Sequence, residues 1–186
     1  MLRESPVKTV ISFEEFLEFE SSSEERHEFV DGNLFVMAGG TDRHNLIALL
    51  LISMILQHAL KRGFYTFNDV LLETPSGRGY YPDVYFVRQN AEKQARVQYH
   101  PTIIIEVLSD STELIDRGEK WQVYQQIPSL EQYVLLSQKE PIAEVFTRDG
   151  ADWRYKKLEG DAGLVFPSLE FEVKLSSLFE NLPPLE

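Results

Sequence analysis

The segment Thr102-Ile-Ile-Ile-Glu-Val-Leu108 has the pattern of a central β-strand. Its residues are mostly apolar and β-branched, and turn-forming residues flank it, which is typical of a strand covered on both faces. Glu106 breaks the pattern, because a buried ionised carboxylate is strongly unfavourable unless it is paired, hydrogen-bonded or bound to a metal. The alternative is an edge strand that turns Glu106 to solvent. Since Ile104 and Leu108 share its face, we favour a buried, functional Glu106.

The residues after this strand predict a β-α-β step. Asp110-Ser111-Thr112 can cap a helix from about Glu113 to Gln125, Pro128 follows its end, and Tyr133 to Leu136 has the pattern of the next strand. Before Glu106, the extended segment from Asp83 to Val87 supplies another strand.

The rest of the chain adds helices and antiparallel strands around this unit. Ser12 and Glu15 have capping-box spacing, and Asp31-Gly32 predicts a hairpin turn. The further predicted elements are a helix at 13–20, hairpin strands within 27–37, a helix from Arg43 to Arg62, an extended segment from Tyr65 to Thr74, strands at 143–148, 153–158 and 164–173, and a short helix at 175–182. We predict one α/β domain over residues 1–186, with a mixed central β-sheet flanked by helices and an N-terminal helix and hairpin.

The composition limits the function classes. Of the 186 residues, 43% are hydrophobic and 12% aromatic, which is enough for a core, and the net charge is −12. Because the chain has no cysteine, disulfides, thiolate metal sites and cysteine nucleophiles are excluded. Neither G-x-S-x-G nor G-x-x-x-x-G-K-[ST] occurs, which argues against serine hydrolases and phosphate-loop proteins. The negative charge argues against a large nucleic-acid-binding surface but is compatible with a small site that holds cations.

The N-terminal residues include early acidic side chains and no apolar core of signal-peptide length. The most apolar run, Leu46 to Leu56, has about half the length of a bilayer span. We therefore expect a cytoplasmic protein that does not engage a membrane.

A second carboxylate, Asp83, follows Pro82 at the start of the strand that precedes Glu106. Taken alone, it is compatible with an ordinary turn. Neighbouring strands, however, would place Asp83 and Glu106 a few ångströms apart, and two like charges at that distance need a cation. Oxygen ligands suit Mg²⁺ or Mn²⁺, which also bind waters and substrate phosphate.

The predicted helix after Glu106 carries Asp116, Lys120 and Tyr124 on one stripe. A solvated ion pair between Asp116 and Lys120 is the alternative to a functional role. Because the helix begins close to the end of the strand, we expect Lys120 to point at the same pocket and to contact phosphate or water. Lys120→Ala should then abolish any reaction of that phosphate and leave the fold and metal binding largely intact.

Glu28 lies in a predicted strand where it can face this pocket, with a solvated position as the alternative. His27 and His44 lack HExxH spacing, and we expect both to be hydrogen-bonded structural histidines.

Several motifs, taken in order, resemble the Uma-two family of restriction endonucleases within the PD-(D/E)XK nuclease superfamily. They are Arg26-His27-Glu28-Phe29-Val30-Asp31-Gly32-Asn33-Leu34, Met37-Ala38-Gly39-Gly40, Arg43-His44-Asn45, Pro82-Asp83-Val84, Ile105 to Thr112, Asp116 with Lys120 and Tyr124, and Glu131-Gln132-Tyr133. The resemblance covers roughly residues 10–175 and implies a restriction-endonuclease-like fold.

The resemblance implies that Asp83 and Glu106 bind the metal, Mg²⁺ or Mn²⁺, with Glu28 as an additional acid. The superfamily's lysine usually lies two residues after the acidic strand residue, where this chain has Leu108. The resemblance therefore implies that Lys120 supplies the ammonium. In this assignment the residues that support the catalytic set without binding substrate are Asp116, Tyr124 and His44.

Together these observations predict a Mg²⁺-dependent endonuclease that hydrolyses duplex DNA. One alternative is a noncatalytic protein that uses the nuclease fold for binding or dimerisation, and the net charge of −12 favours it. Another is a metal-dependent enzyme that acts on a small phosphoester. A duplex-DNA enzyme should show a basic groove, for which the candidates are scattered in sequence: Arg43, Lys61, Arg62, Arg78, Arg88, Lys93 and Arg96.

The predicted helix from Arg43 to Arg62 is apolar on more sides than one small domain usually covers. A second subunit could cover the remaining side, and a homodimer would supply two sites for the two strands of a duplex. The alternative is that terminal helices of the same chain cover it.

Overall fold

The computed structural model describes residues 5–9, 12–37, 39–90, 97–98, 100–180 and 182–183. Its strands are β1 (Lys8–Thr9), β2 (His27–Val30), β3 (Asn33–Val36), β4 (Phe64–Phe67), β5 (Leu72–Glu73), β6 (Gly79–Tyr80), β7 (Val84–Arg88), β8 (Pro101–Leu108), β9 (Gln132–Ser137), β10 (Ile142–Asp149), β11 (Asp152–Glu159), β12 (Gly163–Phe166) and β13 (Phe171–Lys174). Its α-helices are α1 (Phe13–Ser22), α2 (Asp42–Lys61), α3 (Glu113–Ile115) and α4 (Trp121–Tyr124). The π-helical turn Asp116–Lys120 joins α3 to α4, and 3-10 turns lie at Pro167–Leu169 and Leu175–Leu178.

A six-stranded sheet in the order β11-β10-β9-β8-β7-β4 forms the centre of the molecule. β8 lies inside this sheet, antiparallel to β7 and parallel to β9, and all of its residues are buried. The edge-strand alternative for Glu106 is therefore wrong. The parallel pairing of β8 with β9, with helices between them in the chain, confirms the predicted β-α-β step.

Other elements cover both faces of the central sheet. On one face, α2 packs through Ile47, Leu51 and Ile55 into a core that also includes residues of β12 and β13. On the other face, α4 packs through Val123 and Tyr124. A second sheet, in the order β1-β3-β2-β6-β5, contributes to this second core and also packs against α1. The result is the predicted α/β fold with a mixed central sheet flanked by helices.

Within the described part of the chain, α2 is the one helix whose length and composition would allow it to cross a bilayer. This helix confirms the prediction for Arg43 to Arg62: it is 20 residues long and extends beyond the apolar run from Leu46 to Leu56 on both sides. Ile47, Leu51 and Ile55 are fully buried, whereas Leu49 is 50% exposed. The helix therefore buries one apolar stripe in this domain and leaves another in contact with solvent.

Local backbone geometry explains where the predicted boundaries hold and where they differ. The predicted hairpin is confirmed, since Asp31 and Gly32 both have positive φ angles, as a tight two-residue turn requires. Asp69 also has a positive φ, 56°, and the chain turns there, so the predicted segment at 65–74 is divided between the two sheets. The 3-10 turn Pro167–Leu169 divides the predicted strand at 164–173.

Candidate active site

A cavity of about 350 Å³ lies where the N-terminal hairpin, the first turn of α2 and the end of β8 meet. The side chains that line it come from positions far apart in the sequence. They include six residues singled out from the sequence: Glu28, His44, Asp83, Glu106, Asp116 and Lys120. The fold therefore brings this set together around one space.

The register of β7 and β8 holds Asp83 beside Glu106. Val84 pairs with Ile105, so that Asp83 enters the sheet next to Glu106. The backbone N–H of Asp83 donates to Glu106 Oε2 at 3.1 Å, and the backbone N–H of Val107 donates to Asp83 Oδ2 at 2.7 Å. Each carboxylate thus accepts a hydrogen bond from the other segment, which fixes both side chains.

Lys120 places its ammonium among three carboxylates. Its Nζ lies 2.9 Å from Asp116 Oδ1, 3.1 Å from Glu106 Oε1 and 3.3 Å from Glu28 Oε1. The Lys120 side chain is only 7% exposed. The solvated ion-pair alternative for Asp116 and Lys120 is therefore wrong. The expectation that Lys120→Ala leaves the fold intact is also revised, because this lysine is part of the buried structure.

The π-helical turn Asp116–Lys120 is the local feature of this site that the sequence pattern did not predict. π-Helical turns are rare in proteins, and many of those that occur lie at functional sites. The helix that follows directs the Tyr124 hydroxyl to Glu106 Oε1 at 3.2 Å, and the Tyr133 hydroxyl donates to the Asp116 carbonyl oxygen at 3.1 Å. The two tyrosines therefore anchor the acidic cluster from the side of the hydrophobic core.

Negative charge exceeds positive charge at this cluster. Burial raises the pKa of Glu106 well above its usual value, and the charge of Lys120 offsets this effect only in part. Burial likewise raises the pKa of Asp116. Burial alone would lower the pKa of Lys120, but the charges of Asp116, Glu106 and Glu28 raise it well above its usual value. The lysine therefore stays charged while the carboxylates compete for it.

The two histidines have different surroundings. His44 Nε2 lies 3.1 Å from Asp83 Oδ2, at the cavity. Burial alone would lower the pKa of His44, but hydrogen bonding to Asp83 and its charge raise it. His27 is buried, and its Nδ1 lies 3.0 Å from Glu20 Oε2, which agrees with a structural role.

Glu20 is a supporting residue that sequence reasoning missed. Its Oε1 accepts hydrogen bonds from the His27 backbone N–H and from the Tyr81 hydroxyl, both at 2.9 Å. Glu20 thus connects α1 to the strand that carries Glu28 and to the segment that precedes Asp83. Its sequence signal is weak, because it lies among other acidic and serine residues at the end of α1.

The described basic residues do not gather at the cavity, whose lining includes only Lys120 from the lysines and arginines that the structure describes. The other candidates for a basic groove lie elsewhere: Arg62, Arg78 and Arg88 in ion pairs, Arg43 against backbone carbonyls, Lys61 exposed on α2, and Lys93 and Arg96 outside the described residues. Within the described ranges, no three histidine or acidic side chains already form a cage for a metal ion.

Comparison with known proteins gave one family and one fold. The model of the Uma2 (Uma-two) family, "Putative restriction endonuclease", matches residues 13–177. Two uncharacterised proteins of Synechocystis sp. are 28% and 27% identical to this chain, covering 92% and 82% of it and 93% and 89% of their own lengths. A crystal structure of a "putative nuclease belonging to DUF820" from Anabaena variabilis is 18% identical, covers 91% of this chain and 97% of its own, and superposes with a TM-score of 0.77. The last similarity shows a shared fold.

Lys120→Met should strongly destabilise the protein, because three buried carboxylates lose the cation that they share. We expect the free energy of unfolding to fall by about 3–5 kcal/mol near neutral pH. Urea unfolding measures this change. The matched control is Lys139→Met, whose exposed ammonium lies 2.6 Å from Asp110 and whose loss should leave the midpoint unchanged. Equal midpoints for the two variants would contradict this account of the cluster.

The penalty of Lys120→Met should also depend on pH. A carboxyl group whose pKa is raised by folding stabilises the folded state below its ordinary pKa, and this contribution is lost as the pH rises through the raised value. The pKa values of Glu106 and Asp116 are raised in this way, and removal of the lysine raises them further. The difference in unfolding free energy between parent and variant should therefore grow as the pH is increased from acidic to neutral.

Proposed function

The chain belongs to the Uma-two family, and from this premise we propose that it is a Mg²⁺- or Mn²⁺-dependent endonuclease that hydrolyses phosphodiester bonds of DNA. One observation carries the proposal: a single cavity is lined by the Lys120 ammonium together with the carboxylates of Glu28, Asp83, Glu106 and Asp116. Their formal charges do not balance, and a divalent cation would reduce the excess negative charge. Carboxylate oxygens are also the donors that Mg²⁺ and Mn²⁺ prefer.

Asp83 and Glu106 are the residues that would hold the ion, with Glu28 as a further acid. Both carboxylates line the cavity, and hydrogen bonds from backbone N–H groups hold them next to each other. A divalent ion supplies a water of lowered pKa and offsets charge on the phosphate. Lys120 would orient that water or contact the phosphate, while Asp116 and Tyr124 hold the lysine and Glu106 in place.

The charge distribution supports the noncatalytic alternative. The net charge is −12, and the described arginines near the surface are largely occupied by acidic partners. An enzyme that bends or follows a long duplex normally presents a basic face. Because a noncatalytic protein with this fold could still bind a metal ion, metal binding and DNA cleavage must be measured separately.

Metal binding is the first test. Mn²⁺ titrated into the protein in a calorimeter should bind at one site per chain, and Asp83→Ala and Glu106→Ala should each weaken this binding at least about tenfold. Asp69→Asn is the matched control, since asparagine tolerates the positive φ of this residue, and Asp69 lines the same cavity but its carboxylate is half exposed and lies 3.0 Å from Arg26. Parental affinity in the Asp83 and Glu106 variants would place the ion elsewhere.

Cleavage is the second test. With Mg²⁺ or Mn²⁺ present, the parent protein should cut supercoiled, linear or single-stranded DNA, and chelation should stop the reaction. Asp83→Asn keeps the size of the side chain and should reduce the rate at least about 100-fold, whereas Asp69→Asn purified in parallel should keep it. A protein that binds Mn²⁺ but cuts none of these substrates would support the noncatalytic alternative.

We also propose that the protein is a homodimer that pairs through the exposed stripe of α2. Leu46, Leu49 and Leu60 are 37%, 50% and 39% exposed, and with Ser53 and Leu56 they alternate at spacings of three and four residues. That spacing is the seam of paired helices. Two copies of the same stripe can pack on each other about a twofold axis.

Light scattering tests the dimer. The parent should have twice the chain mass of 21.5 kDa at micromolar concentration. Leu49→Glu should shift the protein to the monomer, because it places a charge in the seam. Leu114→Glu, at a leucine of α3 that is 62% exposed, should leave the mass unchanged. A parent mass near that of one chain would overturn the proposal.

A further inference from the structure

Among the described residues that line the cavity, His44 is the one imidazole, and it lies against Asp83. It lies in the first turn of α2, where the Thr41 hydroxyl accepts a hydrogen bond from the His44 backbone N–H at 3.2 Å. Its side chain is 16% exposed and lines the same cavity as Asp83 and Glu106. A capped helix start thus holds the imidazole at the wall of the site.

The chain leaves space for the imidazole at Gly40. A Cβ atom on this residue would lie only 2.9 Å from His44 Nδ1, closer than such atoms approach each other. Any other residue would therefore push against the ring. The local sequence Gly39-Gly40-Thr41 both begins the helix and preserves the position of the histidine.

The distance between His44 Nε2 and Asp83 Oδ2, 3.1 Å, is also the distance expected between two ligands of one ion. Metal bonds to imidazole nitrogen and carboxylate oxygen are about 2.0–2.2 Å long, so neighbouring ligands at a right angle stand roughly 3 Å apart. The two donors come from separate elements, α2 and the start of β7. An ion could replace the proton that they share without a large movement of either element.

We propose that His44 is a direct ligand of the divalent ion, next to Asp83, and that the site therefore prefers a transition metal such as Mn²⁺ or Co²⁺ to Mg²⁺. This inference rests on the proposed function, because it concerns the ion of the same site. Its physical basis is that Mn²⁺ and Co²⁺ accept an imidazole nitrogen beside oxygen ligands, whereas Mg²⁺ keeps a shell of oxygen ligands.

The competing role for His44 is to position Asp83 by a hydrogen bond without touching the ion. His44→Gln separates the two roles. The glutamine amide N–H₂ can still donate to Asp83, but glutamine offers the metal only an amide oxygen. A positioning role is thus kept by the variant, while nitrogen ligation is lost. His58→Gln is the matched control, since His58 lies on the same helix and its Nε2 contacts the Leu169 carbonyl oxygen at 2.7 Å.

The experiment combines two readouts that do not depend on activity. Calorimetry with Mn²⁺ and Mg²⁺ gives the ratio of the two affinities, and electron spin echo spectroscopy of bound Mn²⁺ detects a directly bonded nitrogen. The parent and His58→Gln should favour Mn²⁺ and show nitrogen modulation. His44→Gln should lose the modulation, and its preference for Mn²⁺ should fall at least about tenfold.

The outcomes distinguish this inference from the proposed function. Mn²⁺ that binds through Asp83 and Glu106 without nitrogen modulation in the parent would overturn the role of His44 and leave the proposed metal site standing. Modulation that persists in His44→Gln would also overturn it. Absence of any Mn²⁺ binding by the parent would overturn both the inference and the metal dependence on which it rests.

Discussion

Three buried carboxylates share the one ammonium of Lys120. This excess of acidic groups over cations governs the properties of the whole site. Burial raises the pKa values of Glu106 and Asp116, and the one cation offsets this only in part, while the charges of Asp116, Glu106 and Glu28 raise the pKa of Lys120. In free-energy terms the folded chain holds more negative charge than its interior favours. Stability would improve if some of these groups were apolar, which is the pattern expected where residues are kept for a task other than folding.

The surrounding core makes the imbalance possible. Glu106 lies on a strand whose residues are all buried, between β7 and β9, so the backbone of the central sheet cannot move to expose it. Tyr124 closes the cluster from the core side through its hydroxyl group. The hydrophobic layers therefore supply the free energy that keeps charged side chains in an unfavourable position, as preorganised sites require.

Much of this arrangement was predictable because it follows from local patterns. The apolar residues on both sides of Glu106 predicted a central strand, and the apolar segment that begins after Asp83 predicted its neighbour. Both signals depend only on side-chain chemistry and spacing. The register that places Asp83 N–H on Glu106 is a tertiary property, and it was expected only in outline.

The features that were not predictable depend on contacts between distant segments or on rare backbone geometry. The π-helical turn Asp116–Lys120 leaves no mark in a pattern of four-residue spacings, since an ordinary helix has the same spacings. Glu20 gains its role only because α1 packs where it can reach His27 and Tyr81. The sequence predicted that Lys120 points at the pocket of Glu106, but only the fold shows that its ammonium is buried between Glu28, Glu106 and Asp116.

Under the proposed function, local reversal of charge reconciles the negative charge of the chain with a phosphodiester substrate. Long-range attraction to DNA requires unpaired lysines and arginines, and the described arginines Arg62, Arg78 and Arg88 are each held by an acidic partner. Under the proposed function, the phosphate would therefore be drawn to the metal ion and Lys120 at short range. The affinity of such a site for a substrate would depend only weakly on salt concentration, because salt screens mainly exposed charges. Its affinity for a substrate would instead follow occupancy of the acidic pair, so that metal binding and substrate binding become one coupled event.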